Sequence, residues 1–86
     1  MHAIRRMFER QLDVNEVREV IDNGELVEDY IDDEPYPSQL LLGWSGKRPI
    51  HVVVADNTVV NQLIVVTVYE PDLAEWEPGF KRRKLL

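Results

Sequence analysis

Few side chains in this sequence could carry chemistry, and His51 leads them. It interrupts the apolar stretch Pro49-Ile50-His51-Val52-Val53-Val54-Ala55, and a second stretch, Leu63-Ile64-Val65-Val66-Thr67-Val68-Tyr69, follows within a hairpin's reach. Imidazole is the one side chain that changes charge near neutral pH without help from its surroundings. Three roles suit it. It could pack at a sheet margin with its polar atoms satisfied by Thr67 or a backbone carbonyl, as buried polar atoms normally are. It could exchange a proton with a substrate, assisted by Tyr69 and a nearby cation such as Arg48. It could bind a metal, for which His2 is the only other histidine and no HxxxH-type or cysteine spacing exists. No cofactor is expected. The cations that could meet an anionic substrate are Arg6 and Arg10 near the start, Arg48 mid-chain, and Arg82 and Arg83 near the end, with His2 as an accessory. Each of these also suits an ordinary solvated surface.

Two β-branched runs this close together predict adjacent strands. Strands are expected at 25–31, 39–44, 49–56 and 63–70, joined by short connections that give antiparallel neighbours. The acids of 25–31 suit an edge strand with a wet face. Upstream, Ile4, Met7, Phe8 and Gln11 fall at helical spacing and predict a helix over 2–11. Asp13 followed by Glu16 resembles a capping box and opens a second helix with the apolar stripe Val14, Val17, Val20 and Ile21. Asn23-Gly24 ends it, with Gly24 expected in the left-handed conformation. Asp72 is expected to cap a short helical turn through Trp76.

The fold class is therefore α+β, with two N-terminal helices packed on one face of a four-stranded antiparallel sheet. Residues 1–77 form the domain, and 78–86 a basic C-terminal tail. Pairing Trp44 with Pro49 puts Leu42 opposite His51. Pairing Ala55 with Leu63 puts His51 opposite Thr67 and Pro49 opposite Tyr69. On that register Leu41, Ile50, Val52, Val54, Ile64, Val66 and Val68 face the helices. Leu40, Leu42, Trp44, His51, Val53, Val65, Thr67 and Tyr69 form the other face, expected to be partly open to a ligand, a partner protein or a second copy.

Composition sets the limits. Eighty-six residues make one small domain, and a 44% hydrophobic fraction is that of a globular protein. The absence of cysteine rules out disulfides and thiolate metal sites and fits a reducing compartment. No apolar run approaches the ~20 residues of a membrane span. No apolar stretch follows the early charges as it would in a signal peptide, so the expected location is cytoplasmic. A net charge of −6 argues against a protein built to coat nucleic acid.

The motifs His2-Ala3-x-x-Arg6-Met7-x-x-Arg10, Val17-x-x-Val20-Ile21-x-Asn23-Gly24-Glu25, Arg48-Pro49-Ile50-His51-Val52-Val53 and Thr67-Val68-Tyr69-x-Pro71 resemble a prokaryotic domain-of-unknown-function family. That family looks like a distant branch of the RelE/BrnT-type toxin superfamily. The resemblance covers nearly the whole chain. It implies a RelE-like fold and a small metal-independent RNA endonuclease of a toxin–antitoxin pair, with an RNA substrate and an antitoxin partner. Cleavage of this kind needs a base for the ribose 2′-hydroxyl, cations for the phosphorane charge and an acid for the leaving oxygen. The resemblance assigns His51 as base or acid, Tyr69 as acid or stacking platform, and Thr67 as the residue orienting His51. Arg48, Arg6, Arg10, Arg82 and Arg83 would hold phosphate. The alternative is a non-catalytic protein-binding or homodimerising module that uses the sheet face around His51.

Overall fold

A computed structural model describes residues 13–85 of the 86. The chain runs through helix α1 (Val14–Asn23) and strands β1 (Glu25–Tyr30), β2 (Ser38–Ser45), β3 (Arg48–Asn57) and β4 (Gln62–Tyr69). The strands form one antiparallel sheet in the order β1-β2-β3-β4. The expectation of two helices on one face is corrected here. The described residues hold a single short helix on the sheet, and the helix expected over 2–11 lies outside them. Among the described residues the second layer is not helical. Residues 71–85 fold back over the opposite face as turns and extended chain, so each side of the sheet has its own cover.

Helix α1 begins where Asp13 accepts a hydrogen bond from the Glu16 backbone N–H at 2.8 Å, which satisfies one of the orphan donors of the first turn. Its stripe buries Val17 and Val20 against Leu41, Ile50, Val52, Val54 and Val68. Gly24 is not left-handed. Its φ of −69° and ψ of 164° are extended. Glycine is needed there for close approach, since a Cβ would stand 2.3 Å from the Val20 carbonyl oxygen. Gly43 does the same on β2, where a Cβ would lie 2.4 Å from Val20 Cγ2. Helix and sheet meet through these two missing side chains.

The β2–β3 register pairs Trp44 with Pro49 and Leu42 with His51, as the turn chemistry predicts. The β3–β4 register differs from expectation twice. Ala55 pairs with Ile64 rather than Leu63, and the register shifts again between Val53 and Val54, leaving Val66 without a partner. A one-residue slip exchanges the faces of a strand, and the bulge exchanges them back. Ile64 and Val65 therefore lie on the faces opposite to those expected, with Val65 packed on the helix-side core. Val68 and Tyr69 keep their expected sides. The net shift of two residues moves Tyr69, not Thr67, opposite His51.

Candidate functional site

The face that carries His51 was expected to be partly open. Its centre is covered, with His51 0% exposed and Leu40, Leu42 and Trp76 around it buried, while Trp44 on the same face stays 49% exposed. The cover is made locally. Pro71 ends β4, Asp72 accepts a hydrogen bond from the Ala74 N–H at 2.8 Å, and the Trp76 N–H reaches the Asp72 carbonyl at 2.9 Å. That capped turn aims Trp76 inward, edge-on to the imidazole with ring centroids 4.5 Å apart. The chain then doubles back, with Trp76 bridged to Arg83 and the Arg83 guanidinium 4.7 Å from the Trp76 ring. Phe80 lies edge-on to Trp44 at 5.9 Å. Its φ of 59° is left-handed, a conformation that a bulky residue adopts only when its surroundings impose it.

That backbone geometry delivers the Phe80 carbonyl to His51. The oxygen lies 2.8 Å from Nε2 and can only accept, so Nε2 carries the proton. Nδ1 of the neutral ring then presents a lone pair, and the Tyr69 hydroxyl, 3.1 Å away, donates to it. Both ring nitrogens are satisfied in one tautomer. Burial pushes the imidazole below its ordinary value, the Phe80 hydrogen bond works against that, and the Arg83 charge adds to the depression. His51 is accordingly neutral at pH 7. Burial raises the Tyr69 phenol, opposed by Arg83 and reinforced by Tyr30, Glu75 and Glu28. Burial also raises Tyr30, whose hydroxyl donates to Glu28 at 3.0 Å.

Tyr69 is half-buried, and its outer side opens on a cleft of about 450 Å³ lined with Glu70, Pro71, Asp72, Glu75, Trp76 and Arg83. The accessible group of the pair is therefore the phenol, with the imidazole behind it. One guanidinium and three carboxylates share the cleft. No group of three or more His, Asp or Glu able to hold a metal occurs among the described residues.

The other candidate residues are scattered. Arg48 starts β3, where strand alternation directs it to the side of Ile50, away from His51, and it forms an ion pair with Glu70 at 3.4 Å. Thr67 pairs with Val53, one step along the sheet from the His51–Tyr69 pair, and does not supply the partner of either ring nitrogen. Arg82 is exposed, and its carbonyl accepts from the Glu77 N–H. Among the described residues of the set, Arg83 is the cation brought to the site. His2, Arg6 and Arg10 lie outside the described residues. Sequence reasoning missed Trp76 and Phe80. The available signal was the pairing of a capped turn at Asp72 with an aromatic residue four positions on, beside an apolar sheet face that one helix could not cover.

A small antiparallel sheet with a helix on one face and, on the other, a buried imidazole behind a half-buried phenol defines the class. The chain belongs to the family described as a domain of unknown function, DUF4258, whose model matches residues 1–70. No curated protein and no solved structure matches it. The matched span contains His51 and Tyr69, and the cover over them, residues 71–85, follows it. No helix among the described residues is long and apolar enough to cross a membrane.

Proposed function

We propose that this chain is a small toxin-like RNA endonuclease, related to the RelE/BrnT-type superfamily, whose reacting proton is carried by Tyr69 with His51 behind it. The observation that supports this reading is the ordered chain Tyr69 O–H to His51 Nδ1 and His51 Nε2–H to the Phe80 carbonyl, opening on a cleft with Arg83. As a ribose 2′-oxygen attacks the adjacent phosphorus, its proton passes to the Tyr69 oxygen, and the Tyr69 proton passes to neutral His51. The P–O5′ bond breaks, and the proton returns along the same path to the leaving 5′-oxygen, giving a 2′,3′-cyclic phosphate and a free 5′-hydroxyl. Arg83 offsets the charge on the phosphorane. Tyr69 is the catalytic residue, and His51 acts through it. The reading puts the activity in the cytoplasm, with an antitoxin protein as partner.

The test is cleavage of RNA by the purified chain, with growth arrest on expression as a second readout. Tyr69→Phe should abolish both while remaining folded by circular dichroism, and cyclic-phosphate ends should appear only with wild type. Equal cleavage by wild type and Tyr69→Phe, or none by wild type across pH and salt, would refute the proposal. A second reading, a non-catalytic protein-binding module, is favoured by the three carboxylates of the cleft, which weaken phosphate attraction.

A further inference from the structure

The two edges of the sheet are unlike. Strand β1 carries Glu25, Glu28 and Asp29, the kind of charge that keeps an edge from pairing with another chain. Strand β4, Gln-Leu-Ile-Val-Val-Thr-Val-Tyr, carries none. Residues 57–69 hold no charged side chain in a protein that is 30% charged. A near-continuous β-branched run is the composition of a strand buried on both faces with neighbours on both sides. Yet among the described residues β4 has β3 alone beside it in the sheet.

The exposure pattern points the same way. Leu63 and Ile64 alternate across the two faces of β4, and both are exposed, as are Val66 and the hairpin residues Val59 and Val60. Their exposures run from 41% to 87%. Apolar side chains on both sides of one edge suit a neighbour that adds at the edge rather than one that covers a face.

We infer that β4 is the interface for a second copy of this chain, paired antiparallel across a two-fold axis. In such a pairing residues near the axis face their own kind, so any charge there would meet a like charge. A strand with no charge avoids that penalty and offers nothing to select a charged partner. The five aliphatic side chains present roughly 300 Å² of apolar surface, as side-chain transfer scales imply. A standard interface buries about 800 Å² per partner. The dimer is therefore weak and reversible.

The experiment is light scattering after size exclusion on the full chain across roughly 1–300 µM, a range that brackets weak association, together with amide exchange. Wild type should pass from monomer to dimer, with protection of the β4 amides rising with concentration. Leu63→Lys and Ile64→Lys, both on the exposed edge, should stay folded and raise the dimerisation midpoint at least about tenfold. A wild type that is monomeric throughout overturns the inference. So does a dimer unchanged by both substitutions, or concentration-independent protection of the β4 amides in a monomer.

Discussion

His51 makes the stability of this protein depend on pH in a window set by one buried ring. The unfolded imidazole titrates near 6.5. In the folded chain it is 0% exposed and its value is lowered, chiefly by burial. Below about 6.5 and above the folded value, the unfolded chain binds one more proton than the folded one, so stability falls as pH falls. Above that window the ring is neutral in both states and its contribution is complete. The slope for one proton is about 1.4 kcal/mol per pH unit. An 86-residue domain has roughly 5–10 kcal/mol in all. One pH unit of acidification therefore removes a visible fraction, which moves a urea midpoint by about 0.5–1 M at a slope typical of small domains. The assay is urea unfolding between pH 8 and 5.5 in a His2→Gln background that leaves His51 as the sole imidazole. His51→Gln in that background should flatten the dependence. Stability that holds constant from pH 8 to 5.5, or rises on acidification, contradicts the sealed neutral ring. A slope that survives His51→Gln assigns it to some other group.

Two further outcomes follow from the packing. Trp76→Ala should destabilise by about 3–5 kcal/mol, because it empties a fully buried aromatic site and uncovers the imidazole; an NMR titration of the ring protons should show His51 moving up toward 6.5. Gly43→Ala should cost about 1–3 kcal/mol as its Cβ meets Val20, and Val20→Ala in the same chain should recover part of that loss. Simple addition of the two losses in thermal or urea unfolding would show that the two sites do not share space.

What was legible in the sequence was local. Asp13 and Glu16 announce the start of α1, Gly46 and its neighbours fix the β2–β3 register, and Asp72 does cap a turn through Trp76. Strand positions came out within a residue or so because β-branched runs bounded by turn residues are a short-range signal. Longer-range features were not legible. Nothing in Leu63-Ile64-Val65-Val66-Thr67 marks which aliphatic residue is unpaired, since all would pack on either face, and so the residue opposite His51 was misread as Thr67, whereas a backbone carbonyl, the other partner expected for the ring, is found in Phe80. The cover over His51 was missed because residues 71–85 have no periodicity. Their placement rests on side chains, among them Trp76, Phe80 and Lys81, that meet residues distant in the chain. Gly24 shows the opposite case: a familiar helix-ending residue whose role is clearance.

The way the sheet is closed also has a consequence during synthesis. A nascent chain emerges from its N-terminal end, so α1 and all four strands leave the ribosome before residues 71–85 do. Over that interval Leu40, Leu42 and His51 lack the cover that residues 71–85 supply, and the apolar face between β2 and β3 is open to chaperones, to other nascent chains, or to an uncharged β4 from another molecule. The turn around Trp76 is the one that ends this vulnerable period.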